Sequence, residues 1–588
     1  MEVLTIRDCS ELTELPFSQS TCYQVEQDAR YPRLREICVS NCRKLSSIPL
    51  IPWTKSLCRA DISQVGTSLE YLYYTNDQQI KYMAIQMGKD ALDSELWNML
   101  PFHNLSEIED LSIKECPPMP PKHLQMLTSL KTLKISDCSN VLCPVDGDDN
   151  TRHQLPVVDL RIYRGDATGK EITQLVSYFP NLTNLVLDEC KAVTGLGVAE
   201  NQATATPAPS QSASDDKTEE AQIGQQQQGR GDEEKQAAAE GLLLLPSQIK
   251  DLCIQYCPDL RLCSSSLVDG TITARRGLQG LISLRSLTML NCPKFLSSGS
   301  SSPSYCPFPT SLQKLSLRDM KGMFTLAPLS NLTGLYIKDC WELKGESIWS
   351  LLTNGHLTEL WIYGSHKLIA GVCEQDLPCS SGLQELGTDG KAGILAATLC
   401  ANLFTSITKL TFGWNDEMER FTKEQEEALL SLTLVQEFEI QCCEKLQSLP
   451  AGLSGLCNLR RLEIFNCQSL RSFSKDRLPS SLTELKISFC SSLRSLPEGL
   501  SELRNLRRLE IAYCSTLRSF PKDGFPSSLT ELEISACQSL RSLPKGKLPS
   551  SLQTLDVHDI YNIHDIYNNE ELRKQCRKLR GIIPIVKA

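Results

Sequence analysis

Aromatic residues make up only 6% of this 588-residue chain, so aliphatic side chains must fill whatever interior it builds. Long apolar runs are missing as well. The longest pure aliphatic stretch, Leu242 to Leu245, is far too short to span a bilayer. The first residues lack the basic and apolar regions of a secretory leader. The 7 histidines are scattered, and no Ser/His/Asp or Cys/His set stands at a spacing that would assemble a nucleophilic centre. No G-x-x-x-x-G-K-[ST] occurs, which excludes a phosphate-binding loop. Cysteine is abundant, at 26 residues, yet Cys253-x-x-x-Cys257 and Cys442-Cys443 are followed by no His or Cys pair at zinc-site spacing. The net charge of −10 is modest for this length and argues against a general nucleic-acid binder. These absences exclude the common enzyme classes and leave no cofactor or metal to expect. So many thiols without a leader point to a reducing compartment, and a cytoplasmic location is expected.

What is present is a repeat. The block L-x-x-L-x-I-x-x-C recurs along the chain and keeps time best near its end, where Cys443, Cys467, Cys490, Cys514 and Cys537 are 24, 23, 24 and 23 residues apart. Each block continues x-x-L-x-x-L/F, often closed by proline, as in Leu496-Pro497 and Phe520-Pro521. A period in this range is the mark of leucine-rich repeats. The fold class expected is therefore α/β, a curved solenoid of roughly 20 coils, with short parallel strands on the concave face and helices or turns on the convex face. In each L-x-L the two apolar side chains point inward and the middle one outward. One coil cannot bury enough surface to fold alone, so each depends on its neighbours.

Strand cores centre on Leu4, Ile37, Leu111, Leu133, Leu160, Leu185, Leu252, Leu287, Leu315, Leu335, Leu360, Leu410, Phe438, Leu462, Leu485, Leu509, Leu532 and Leu555, with poorer matches near Leu72 and Leu386. Apolar spacing predicts helical returns over Glu171–Val176, 345–352 and 423–430. Residues 1–198 read as irregular N-terminal repeats, with 76–104 as an insertion or degenerate coils. Residues 199–240 are low in complexity, with nine acids against three bases, and should form a disordered loop. Residues 241–566 are the C-terminal repeats, most regular over 435–560. Residues 567–588 should form a cap built on a short helix, with Glu570 and Glu571 in its first turn, Lys578 and Arg580 in its last, and Gly581 as stop. The chain opens inside a repeat, so a fragment whose N-terminal partner domains are missing, a spliced product or a truncated reading frame is expected.

Function in such a scaffold belongs to the outward position of L-x-L. Tyr336 and Trp361 fall there on successive strands, and Tyr363 lies two residues on, on the same side. An exposed aromatic cluster of this kind resembles a binding hot spot; the competing reading is that the rings cover one another. Farther on, a flank of Glu437, Arg461, Glu484, Arg508 and Glu531 alternates in charge beside a middle column of Glu439, Glu463, Lys486, Glu510 and Glu533. Stacking sets acid beside base, which gives either a ladder of surface ion pairs or a charged face for a partner. The repeated cysteines read as a structural ladder of small buried hydrophobes.

The Cys-x-x-Leu-x-x-Leu/Phe coils, as in Leu462-Glu-Ile-Phe-Asn-Cys-Gln-Ser-Leu-Arg-Ser-Phe, resemble the C-terminal repeats of plant nucleotide-binding, leucine-rich-repeat disease resistance proteins. Asp339-Cys-Trp-Glu-Leu-Lys-Gly-Glu-Ser-Ile-Trp-Ser-Leu-Leu is similar to them too, and the ending from Glu570 resembles the tail of coiled-coil members from cereals. The resemblance covers nearly everything but 199–240. It implies a non-catalytic recognition scaffold of innate immunity. Such a scaffold senses a pathogen effector or a modified host protein, holds a nucleotide-binding domain inactive, or does both. The nucleotide-binding and N-terminal signalling domains of that family have no counterpart in this sequence. Its partner would be a protein, with no nucleic acid and no membrane. A substrate adaptor of a ubiquitin ligase is the alternative, although the helical module that such a reading needs is not expected ahead of Met1.

Overall fold

The computed structural model of the chain describes residues 2–15, 33–45, 56–66, 69–77, 79–88, 97, 100, 102–138, 154–199, 239–262, 277–296, 305–322, 324–343, 345–365, 368, 381–473, 478–521, 523–543, 548–558 and 570–587. They fall into two compact units, 1–312 with 318–323 and 313–317 with 324–588. Most of the segment 199–240 lies outside the described residues.

One coil shows why the block repeats. In Arg461–Phe465 the side chains of Leu462 and Ile464 are fully enclosed, while Arg461, Glu463 and Phe465 face out. Asn466 then takes a left-handed conformation, φ 53°, which turns the chain off the sheet. Its N–H still donates to the neighbouring strand, to Ser488 O at 2.9 Å. The buried thiol of Cys467 donates to Phe465 O at 3.6 Å, a weak bond that serves the strand's last carbonyl. Leu470 N closes the turn onto Cys467 O at 3.2 Å, and Leu470 is itself fully buried. Hydroxyls tie coil to coil on the far side: Ser481 Oγ donates to Leu459 O at 2.8 Å and Ser528 Oγ to Leu506 O at 2.7 Å.

The first unit carries strands β1 (Val3–Arg7), β2 (Glu36–Cys42), β3 (Arg59–Val65), β4 (Leu69–Asn76), β5 (Lys81–Met87), β6 (Asp110–Lys114), β7 (Thr132–Ser136), β8 (Asp159–Tyr163), β9 (Asn184–Asp188), β10 (Gly195–Val198), β11 (Leu242–Leu245), β12 (Asp251–Gln255), β13 (Arg261–Leu262) and β14 (Ser286–Leu290). β1, β2 and β3 pair in parallel. β4 then runs antiparallel to both β3 and β5, after which β5, β6, β7, β8, β9, β12 and β14 are parallel in turn. The reversed strand β4 thus falls at the poorer match near Leu72, and its return β5 lies within 76–104, the stretch without a readable repeat. β10 lies between β11 and β13 in a small second sheet. Among the described residues its α-helices include α1 (Pro121–Met126) and α2 (Gly169–Val176). In α2 the side chain of Thr168 accepts from Glu171 N while the Glu171 carboxylate accepts from Thr168 N, a reciprocal cap that fixes the start of the helix.

The second unit carries β15 (Lys314–Arg318), most of which belongs to it, then β16 (Gly334–Lys338), β17 (Glu359–Tyr363), β18 (Glu385–Thr388), β19 (Lys409–Gly413), β20 (Glu437–Gln441), β21 (Arg461–Phe465), β22 (Glu484–Ser488), β23 (Arg508–Ala512), β24 (Glu531–Ser535), β25 (Thr554–His558) and β26 (Ile585–Lys587). From β16 to β26 every neighbour pairs in parallel without a register shift. Its helices are α3 (Gly345–Thr353), α4 (Ala397–Asn402), α5 (Lys423–Ser431) and α6 (Glu570–Arg577). In the tail, Leu572 and Cys576 of α6 are buried, and β26 extends the sheet beyond β25. Each unit is a β-solenoid of short, mostly parallel strands with few helices among the described residues, consistent with a leucine-rich-repeat-like architecture.

Candidate protein-binding face

Parallel register fixes which outward side chains touch. In the second unit the middle position runs Tyr336, Trp361, Gly387, Thr411, Glu439, Glu463, Lys486, Glu510, Glu533, Asp556 from β16 to β25. Its first part is aromatic. Tyr336 and Trp361 are half-buried, while Tyr363 is only 1% exposed. The Tyr363 ring stands 5.9 Å from that of Tyr336 and 6.5 Å from that of Trp361. Tyr363 therefore supports the other two rings and offers no surface itself. Its hydroxyl has no hydrogen-bond partner among the described residues, and burial pushes its pKa well up. Gly387 explains the tilt of the cluster, because a side chain there would overlap the Trp361 ring. Trp361 occupies the space that glycine leaves.

The second part is charged, and most of its charges are matched. Lys409 meets Glu439 at 2.9 Å, and Thr411 donates to the same carboxylate at 3.2 Å. Burial alone would lower the Lys409 pKa, but the Glu439 hydrogen bond and charge raise it. Arg461 meets Glu484 at 2.9 Å, and Lys486 meets Glu510 at 3.2 Å. Arg508 is the hub, 3.2 Å from Glu510, 3.2 Å from Glu533 and 3.3 Å from Glu531. Glu437 lies beside Lys409 in register, but Lys409 turns to Glu439 instead. The ladder of ion pairs expected from the alternation is there, and each exposed pair contributes well under about 1 kcal/mol.

Glu463 is the exception. No hydrogen bond or ion pair reaches it among the described residues, although Arg461 and Lys486 flank it. Both of those cations are engaged by other carboxylates. Burial first, and then the charges of Glu439 and Glu510, hold its pKa above the ordinary carboxylate value.

A further group of side chains escapes a reading confined to the outward strand positions. The left-handed residue after each strand is Asp, Asn or Glu in many coils, but it is aromatic in Tyr256, Trp414, Phe489 and Tyr513. Phe489 and Tyr513 stack at 4.2 Å with planes 12° apart, and Phe465 meets Phe489 edge-on at 5.3 Å. Phe489 is 42% exposed. For Tyr256, Phe489 and Tyr513 the sequence signal was an aromatic residue directly before the repeat cysteine, where Asn or Asp suits the backbone better. Trp414, likewise exposed, has the Lys338 ammonium 4.3 Å above its ring.

The cysteine ladder is buried throughout this part. Cys443, Cys467, Cys490 and Cys514 are fully enclosed, and Cys537 is nearly so. Among the described residues no group of three or more His, Cys, Asp or Glu could hold a metal ion. No helix among them is long and apolar enough to cross a membrane.

No family model and no curated protein matches this chain. Solved structures similar to it include a leucine-rich-repeat protein of Leptospira interrogans, at 17% identity over 82% of this chain and 97% of that one, with a TM-score of 0.37. Another is the leucine-rich repeat domain of the type III effector XopL, at 20% identity over 45% and 70%, with a TM-score of 0.23. A third is TLR13 in its complex with ssRNA13, at 14% identity over 97% and 79%, with a TM-score of 0.38. None reaches 0.5, and the fold assignment rests on the coils themselves.

Proposed function

We propose that the chain is a non-catalytic recognition scaffold that holds another protein on the outward sheet face of its second unit. The observation that carries this is the half-buried pair Tyr336 and Trp361, set side by side in register and backed by the enclosed ring of Tyr363. Large rings held in place by packing lose little freedom on binding and bury much area. The charged columns beside them, from Glu437 to Glu533, set the register of a partner and reject wrong ones. The finer role is in plant innate immunity: sensing a pathogen effector or a modified host protein, or restraining a nucleotide-binding domain, in the cytoplasm. The coil sequences and the tail from Glu570 support it through their resemblance to the repeats of disease resistance proteins.

The test uses the full chain. A protein that it retains is titrated against the wild type and against the double variant Tyr336→Ala/Trp361→Ala, with circular dichroism and thermal unfolding as checks on folding. Affinity should fall at least about tenfold, as for truncation of central aromatic anchors. Equal affinity in a well-folded variant refutes the reading.

A further inference from the structure

We infer that the strip formed by Phe465, Phe489 and Tyr513, together with Glu463, is a seat for a guanidinium group, so that the partner of this face presents an arginine there. This rests on the reading of the second unit's outward face as a protein-binding surface, and it names the chemistry of what binds.

Three independent observations converge on the strip. Glu463 is a half-buried carboxylate without a hydrogen bond or ion pair among the described residues, crowded by the acids Glu439 and Glu510 in its own column. Its two cationic neighbours are already taken, so only a cation from outside can match it. Next, Phe465 lies two residues on along the same strand and therefore on the same face. With Phe489 and Tyr513 it forms a continuous aromatic strip over three coils. The outward positions between the strip and the charged column are Ser488, Ala512 and Ser535, in register with Phe465. Ser488 is half-buried, and the small side chains of Ala512 and Ser535 are buried. Finally, a ring at this kind of turn already carries a cation once within this unit. Trp414 holds the equivalent left-handed position, and the Lys338 ammonium covers its ring at 4.3 Å. Among the described residues no lysine or arginine covers Phe465, Phe489 or Tyr513.

The choice of arginine over lysine follows from geometry. A guanidinium is flat and weakly hydrated, so it can stack on a ring and still give two N–H groups to a carboxylate at its edge. An ammonium can do one well, but not both.

The experiment uses the full chain and a fluorescein-labelled peptide of alternating glycine and arginine, with lysine, citrulline and glutamate counterparts, in an anisotropy titration at low salt. The arginine peptide should bind, the lysine peptide about fivefold more weakly, and the citrulline and glutamate peptides weaker still. Glu463→Gln should weaken arginine-peptide binding about tenfold. Phe489→Asn should do the same, and it suits the left-handed backbone because asparagine already stands there at Asn466. Lys445→Ala, away from the strip, serves as the control. Equal binding of lysine and arginine peptides, preference for the glutamate peptide, or binding that ignores Glu463→Gln and Phe489→Asn overturns the seat. These outcomes leave the Tyr336→Ala/Trp361→Ala test untouched, so the two claims fail separately.

Discussion

The indole of Trp361 lies in the space that Gly387 leaves on the neighbouring strand, and a side chain on Gly387 would also come within 2.6 Å of the Tyr363 hydroxyl. Gly387→Ala should therefore push the indole off the sheet. Overpacking of this kind costs about 1–3 kcal/mol. Hydrogen exchange of the amides in β17 and β18 reads that cost locally, where a single global unfolding energy for a repeat protein is ill-defined. In the background Trp361→Ala the indole clash is gone and only the Tyr363 hydroxyl is left to give way, so Gly387→Ala should cost clearly less than in the parent. Additive effects of the two substitutions would show that the contact is not the cause.

The thiol ladder gives a prediction about reactivity. Burial pushes Cys443 and Cys467 up to about 12, so at pH 8 roughly one thiol in ten thousand is the reactive thiolate. Cys457 lies on the surface between them in sequence. A disulfide reagent at pH 8 should label Cys457 within minutes and reach Cys443 and Cys467 only when the coils unfold, as mass spectrometry of the labelled peptides would show. Comparable rates at all three would mean that the ladder opens readily or is not enclosed.

Most of the architecture was legible because it is periodic. Leu462, Leu485, Leu509 and Leu532 repeat at a fixed interval, and a strand core is simply where such a leucine falls. Helices α2, α3 and α5 were legible from apolar spacing. Reversal at β4 was not legible, because alternation of apolar and polar residues is the same whichever way a strand runs. The small sheet of β10, β11 and β13 was missed because its strands are short and lack the repeat. At the site, period two identified Tyr336, Trp361 and the charged columns. It could not show that Tyr363 is enclosed, since burial there depends on rings contributed by two other positions. Phe489 and Tyr513 escaped because they follow the strand and point by virtue of a left-handed turn, which alternation does not describe.

That turn supports a stability prediction. Ala536 holds the left-handed position after β24 at φ 50°, without the amide or carboxylate by which asparagine or aspartate bonds locally. An L-residue there costs about 1–2 kcal/mol. Ala536→Gly removes that cost but loosens the unfolded chain, for a net gain of about 0.5–1 kcal/mol. Ala536→Val adds a branched carbon at a position that disfavours it and should destabilise. The expected order of thermal midpoints is glycine, alanine, valine. A valine variant as stable as the parent would mean that this turn adapts its backbone.

Glu463 links stability to recognition with opposite signs. Its folded pKa lies above the ordinary value of 4.5, because burial and the neighbouring Glu439 and Glu510 disfavour its charge more than Arg461 and Lys486 favour it. The folded chain thus holds this proton more tightly than the unfolded chain does. Below the ordinary carboxylate pKa the residue is protonated in both states and costs nothing, while as pH rises through the folded value the charge forms and the fold loses stability. Glu463→Gln should accordingly be more stable than the parent at pH 7, by less than about 1 kcal/mol for a group only half-buried and screened by solvent, and equal to it below pH of about 4. The same variant should lose affinity for an arginine-bearing probe at pH 7. Thermal unfolding at the two pH values, read beside the anisotropy titration, separates the outcomes. A variant less stable than the parent at pH 7 would mean that the carboxylate already has its cation within the fold, and nothing would be left for a partner to supply.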